Sequence, residues 1–259
     1  MKKSLRTVTS IYDLLEKARD FFLLDDSSKR YTNEAPLRSE LLSAFQMEQR
    51  GKAVATYHKL LDKRVPDQLL RRLDDNEKVL IEVRNLLVES AKEKMSISPA
   101  GEWLLDNFYL IEEHVVIGRK HLPKGYSQTL PALANKHAEG MPRVYDIALE
   151  IISHSDGAVD LRSLSSFVSA YQSVSILSLG EVSAIPIMLR LALIENLRRV
   201  ASRVALDKID QNIAAYWADK MLKGAEERSQ DIILILADLA RTNPRLSGPF
   251  VSEYLRKLQ

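Results

Sequence analysis

SPAGEWLLDNFYLIEEHVVIGRKHLPKGYSQTL, residues Ser98 to Leu130, decides the fold class. Ser98 is an N-cap residue and Pro99 occupies the first helical position, where its missing N–H costs nothing. Apolar side chains then recur at Leu104, Phe108, Ile111 and Val115, the spacing of one helix face. Glu102, Asp106, Asn107, Glu112, Glu113 and His114 form a dense polar set around that face. The pattern predicts one amphipathic helix that runs to the break at Pro123 and Gly125.

Outward from this helix the same grammar repeats, and the expected architecture is all-α: ten to twelve helices in a bundle or solenoid-like array, without a sheet. Ser10 and Asp13 start a helix from Ile11 to about Leu24. Asp25 to Pro36 reads as a linker and the place where disorder is expected, so residues 1–36 separate from a helical module, 37–259. A helix over Leu37–Lys63 should stop before Val65-Pro66, because the residue preceding proline resists helix. Further helices reach Met95, with Asn76 as a cap. Gly140-Met141-Pro142 opens another that ends between His154 and Gly157, and Asp160 starts one to Gln172.

Ser178 and Glu181 have capping-box spacing. The helix they open is apolar nearly all round from Val182 to Ile194, the mark of a central buried helix. Pro186 lies beyond its first turn and should kink it near Val182. Arg190 sits within the apolar run; a buried guanidinium needs a counter-charge, so Asp106, Glu113 or Glu150 is expected beside it. Helices over Leu206–Leu222, Asp231–Arg241 and Pro249–Leu258 complete the chain. The stop on a helix at Gln259 reads as a cut.

Four blocks carry a family resemblance: EWLLDNFYLIEEH (Glu102–His114), LPKGYSQTLPAL (Leu122–Leu133), GMPRVYDIALEIISHSD (Gly140–Asp156) and LSLGEVSAIPIMLRLALIENLRRVA (Leu177–Ala201). In this order they resemble the N-terminal region of the cyclic β-1,2-glucan synthases, very large bacterial inner-membrane enzymes. The resemblance implies a parent enzyme that polymerises glucose from UDP-glucose into periplasmic cyclic glucan. Its glycosyltransferase, membrane and phosphorylase-like parts lie beyond the matched region. It thus implies a non-catalytic scaffold or docking module, cytoplasmic and at the inner membrane, whose partners are the remaining domains of the synthase, with β-glucan a further candidate. A free-standing helical interaction module is the alternative. The residues marked for interaction are Glu102, Trp103, Asp106, Asn107, Glu112, Glu113, Lys124, Tyr126, Arg143, Tyr145, Arg190, Glu195 and Asn196.

Composition narrows the chemistry. A net charge of +2 over 259 residues gives no general drive toward nucleic acid, and the absence of cysteine removes disulfides, thiolate metal sites and cysteine nucleophiles. After Met1-Lys2-Lys3 come Arg6, Asp13, Glu16 and Lys17 rather than the apolar core of a signal peptide. Ile185–Ile194 and Ile232–Leu236 are too short to span a bilayer, so no direct membrane insertion is expected.

Neither an Asp-x-Asp metal site nor a Gln-x-x-Arg-Trp motif is present; Asp25-Asp26 and Asp74-Asp75 are simple pairs, and Trp103 and Trp217 lack the surrounding motif. Asp74–Asn76 reads as a helix start. Glu112 and Glu113, being adjacent, point about 100° apart on a helix and cannot form a dyad. Asp106 and Glu113 share a face with Glu102 and read as a salt-bridge network. Glu150 and His154 could share a metal, but the di-iron spacing is absent. His114 and His121 read as ordinary polar contacts. Arg198, Arg199 and Arg203 read as a basic helix end favoured by the macrodipole, ahead of a phosphate site. Lys124-Gly125-Tyr126 reads as a turn with a packed tyrosine. No catalytic residue, cofactor or metal ligand is expected in this chain.

Overall fold

A computed structural model of the protein describes residues 15, 17–22, 34–63, 65–93, 95–227, 229–242 and 244–259. From residue 34 onward the described residues form α1 (Ala44–Tyr57), α2 (Leu69–Lys92), α3 (Pro99–Asp106), α4 (Phe108–His121), a 3-10 turn at Tyr126–Thr129, α5 (Arg143–His154), α6 (Leu161–Gln172), α7 (Leu179–Glu227), α8 (Ser229–Thr242) and α9 (Gly248–Leu258). The all-α expectation holds: extended pairing among the described residues is limited to the isolated bridges Leu60–Leu133 and Ala132–Pro142. Of the first expected helix, residues 15 and 17–22 are described and helical. Its remainder, and the Asp25–Pro36 linker apart from Glu34–Pro36, lie outside the described residues.

The chain sorts into two compact units. One contains Glu34–Glu82 and Asp106–Val200; the other contains Val83–Leu105 and Ala201–Gln259 with the described N-terminal residues. In the first, α1 packs on α6. Met47, Val54, Ala55, Ile147, Ile151, Phe167, Tyr171 and Leu177 form its core. Gly51 makes this contact possible, since a Cβ there would stand 2.5 Å from the backbone oxygen of Phe167. Backbone on both sides leaves nothing flexible to yield. Gly51→Ala is therefore expected to destabilise by ~1–3 kcal/mol in urea melts, overpacking outweighing alanine's better helix propensity. An unchanged or raised midpoint would mean that α1 and α6 pack more loosely than described.

In the second unit, Val83, Leu87, Ala205, Ile209, Ile213, Trp217, Ile235 and Phe250 are buried. Lys208, also buried, donates to the carbonyl of Ser96 at 2.7 Å. Burial lowers its pKa against the raising influence of Glu253. Lys220 lies 4.8 Å from the centre of the Trp217 ring and pairs with Asp238 at 3.2 Å.

Several boundaries differ from expectation. Leu37–Lys63 is not one helix. Glu34–Ser43 is non-helical, and α1 starts after Ser43, which forms a capping box with Gln46. Asn76 lies inside α2 and is buried, so it caps nothing. The Ser98 helix begins at Pro99 as expected, with the Ser98 hydroxyl accepting from Gly101 N–H at 3.2 Å. It stops at Asp106, because Asn107 takes φ −106° and ψ 10° and leaves the helical path. The Ser178 helix does not end near Arg203. Neither Gly nor Pro occurs from Ile187 to Lys223 to break the periodicity, and α7 continues for 49 residues.

The expectation that Val182–Ile194 is buried all round also fails: Val182 and Leu193 are exposed, and Pro186 is exposed with them. The carbonyl that Pro186 leaves without an N–H donor thus lies on the solvent side, where water can take it.

Candidate functional site

The most concentrated polar chemistry lies in the first unit, where α2 and α7 each contribute residues spaced to share a helix face. Arg72 and Asn76 are four apart on α2, while Glu195, Arg198 and Arg199 follow i, i+3, i+4 on α7. The Glu195 side chain is fully buried and accepts from all four neighbours. Arg72 donates through Nε at 2.9 Å and Nη2 at 2.7 Å, and Asn76 Nδ2 donates at 2.8 Å. Arg198 Nη2 and Arg199 Nε donate at 2.7 and 2.9 Å. Asn76 Oδ1 in turn accepts from Arg198 Nε at 3.2 Å, so both ends of the amide are used.

Glu34 enters from the preceding chain. Its Oε2 accepts from Arg198 at 2.6 Å and Arg72 at 3.1 Å, and lies 3.2 Å from Arg199. Burial alone would push the Glu195 carboxyl up, but the charges of Arg72, Arg198 and Arg199 more than reverse this and hold it well below the usual carboxylate range. Burial raises Glu34, and the Glu195 charge adds to that against Arg72 and Arg199. Of the two carboxylates, Glu195 is the fixed anion. Tyr145, buried beside them, is raised by burial and by the same Glu195 charge.

A second buried pair joins α5 to the start of α7. Arg143 grips Glu181 through Nε and, at 2.8 Å, Nη2. It also donates to Ser175 Oγ at 2.9 Å and to the Ile176 carbonyl at 2.7 Å. Glu181 completes the expected capping box, accepting from Ser178 N–H and hydroxyl at 2.9 Å each. Burial raises the Glu181 carboxyl, but Arg143 and the Ser178 N–H outweigh it and leave it lowered.

A third network runs through imidazole. His58 Nε2 lies 3.0 Å from Asp146 Oδ2, and its Nδ1 lies 2.9 Å from the Tyr171 hydroxyl. The order carboxylate, imidazole, hydroxyl is that of an activated nucleophile. Tyr171 is 0% exposed, however, and its ring packs beneath Arg143. No substrate reaches that oxygen, so the network ties α5, α6 and the end of α1 together. On its outer side His137 approaches Asp146 Oδ1 at 3.7 Å and stacks on Tyr57.

The marked residues divide accordingly. Arg143, Tyr145 and Glu195 are buried in these networks, and Asn196 Oδ1 accepts from Leu37 N–H at 2.8 Å. Glu102, Trp103, Asp106, Glu112 and Glu113 are exposed, and Asn107 is half-buried. Among the described residues Glu102, Asp106 and Glu113 form no ion pair, so the salt-bridge network expected of them is absent. Lys124 is exposed and Tyr126 half-buried around Gly125, whose φ of 81° makes the expected turn. Asp67 secures it, accepting from Gly125 N–H at 2.9 Å and Ser127 Oγ at 2.7 Å.

Arg190 is only half-buried, and among the described residues no carboxylate pairs with it; its Nη1 is buried without a hydrogen bond. Glu150, one of its expected partners, pairs with Arg50 through bonds of 2.8 and 2.9 Å. Arg198 and Arg199 lie mid-helix rather than at a helix end, which removes the macrodipole account of them. Sequence reasoning missed Glu34, His58, Arg72, Asp146 and Tyr171. The one local signal was E-x-x-R-R over Glu195–Arg199; the partners themselves lie 38 to 164 residues apart along the chain.

No protein-family model matches the chain. A stretch of 158 residues is 32% identical to the cyclic beta-(1,2)-glucan synthase NdvB of Rhizobium meliloti (strain 1021), covering 61% of this chain and 6% of that protein. The expected relation to the cyclic β-1,2-glucan synthases is therefore shown for this stretch, while the chain spans only a small part of the relative's length. Among the described residues no helix is long and apolar enough to cross a membrane.

Proposed function

We propose that this chain is a non-catalytic helical module of a cyclic β-1,2-glucan synthase system, acting as scaffold or docking domain for the remainder of such an enzyme. The observation that carries this reading is the relation to NdvB, confined to 6% of that protein. The buried ion pairs favour it: Arg143 holds Glu181, and Arg72 and Arg198 hold Glu195, which suits groups that fix helix to helix. A surface suited to docking lies above the Arg143 pair. Ile176 and Leu179 are more than four-fifths exposed, Val174 and Val182 are exposed beside them, and no charged side chain occurs from Ser163 to Gly180. The carried-over partners are the glycosyltransferase and membrane parts of the synthase, and the location would be the cytoplasmic side of the inner membrane.

Titration calorimetry tests the proposal directly. Linear and cyclic β-1,2-glucans and UDP-glucose should give no binding heat, while the relative's chain lacking its matching region should bind. Heat with a glucan would instead make this a substrate-handling domain. Failure to bind the truncated relative would remove the docking role.

A further inference from the structure

We propose that Glu34 is a tethered ligand, its carboxylate filling a socket for a small oxyanion that Arg72, Arg198 and Arg199 form around Glu195. The socket is assembled without Glu34, because Glu195 alone receives a bond from each guanidinium and from Asn76. Glu34 adds itself on the outer side: its side chain is 30% exposed, against 1% for Arg198 and 0% for Glu195.

Charge makes the socket one that an anion fills. Three guanidiniums against Glu195 leave two positive charges, and Glu34 neutralises one of them. Arg198 Nη1, buried and without a hydrogen bond among the described residues, is a further donor. Converging guanidinium forks suit carboxylate and phosphate oxygens alike.

The segment that delivers Glu34 is a strap lying on the surface. Glu34–Ser43 is non-helical, and Ala35, Pro36 and Arg38–Leu41 are exposed. Near Glu34 it is held by Arg199 on the Ala35 carbonyl at 3.1 Å and by Leu37 N–H on Asn196 at 2.8 Å. Further on, Ser39 and Leu42 N–H bond the carbonyls of Ser153 and His154, His154 Nδ1 lies 2.8 Å from the Glu40 carbonyl, Arg38 pairs with Asp156 at 3.9 Å, and Leu42 packs on the core. Lifting its first residues, Glu34–Pro36, breaks no helix and leaves Ser43, the N-cap of α1, in place. An acidic side chain of another segment, or a phosphoryl group, is the oxyanion that would replace the Glu34 carboxylate.

Chemical rescue tests the assignment. The Tm of Glu34→Ala should fall by roughly 5–10 °C in chloride, as expected when a buried charge loses its partner. It should recover, saturably, as chloride is replaced by phosphate or acetate at constant ionic strength. The wild type, with the socket filled, should gain much less. Glu34→Gln keeps the side-chain shape without the charge and should show the same rescue if the alanine variant fails to fold. Adding Arg199→Ala should weaken the rescue. Recovery with acetate alone points to an acidic side chain, and with phosphate alone to a phosphoryl group. No anion-dependent gain beyond that of the wild type in either variant overturns the proposal.

Discussion

Glu195→Ala should cost at least ~3–5 kcal/mol, the range seen when one partner of a buried ion pair is removed. The side chain is fully buried and holds three guanidiniums, so its loss leaves several charges compensated only by Glu34. Glu195→Gln should fall between the wild type and alanine, since an amide oxygen can still accept while the charge is gone. The pH dependence gives an independent check. Glu195 is depressed in the folded state, so its stabilisation is complete above the unfolded carboxylate pKa and is lost as pH falls toward its folded value. Glu34 is raised, so its linkage has the opposite sign: the folded state takes up that proton first, and relative stability declines as pH rises through the raised value. The acid limb of the wild-type stability curve should therefore flatten in Glu195→Gln. Urea midpoints measured from neutral pH into acid decide this; an acid limb as steep as that of the wild type would show that Glu195 is not the fixed anion.

What is legible in the sequence is what neighbours along the chain determine. Ser98-Pro99 and Ser178 with Glu181 are readable because a cap and its partner lie within one helical turn. The all-α fold follows from many such local signals agreeing. The break at Asn107 is not legible, since neither Gly nor Pro marks it. Asn76 misleads because asparagine is a good cap, yet here its amide is engaged by Glu195 and Arg198 from another helix. Arg190 misleads in a related way. Apolar neighbours suggest burial, whereas the buried arginine of the same helix, Arg198, lies one turn beyond the carboxylate that pairs with it. The rule that a buried guanidinium needs a carboxylate is sound, and counting apolar neighbours chooses the wrong guanidinium. His58 with Asp146, 88 residues apart, leaves no local trace at all.

Glu181→Ala is expected to be the second most damaging change, because one carboxylate does two jobs that can be separated. As a cap residue it accepts from Ser178 at the start of α7, a contribution of about 1 kcal/mol. As an ion-pair partner it neutralises Arg143, whose side chain is 5% exposed, so removing it adds the ~3–5 kcal/mol of an uncompensated buried charge. These groups share one network, so the two effects should not sum. Ser178→Ala isolates the cap and should cost only about 1 kcal/mol. Glu181→Gln keeps a capping-box acceptor while losing the charge, and should lie nearer to Glu181→Ala if the ion pair dominates. Arg143→Met removes the cation together with its desolvation cost and should be milder than Glu181→Ala. It also releases Ser175 Oγ and the Ile176 carbonyl, so amide exchange should quicken across Val174–Val182 while α5 stays protected. Should Glu181→Ala cost no more than Ser178→Ala, the Arg143 pair contributes little, and the apolar Val174–Leu179 surface owes its position to Leu177 packing instead.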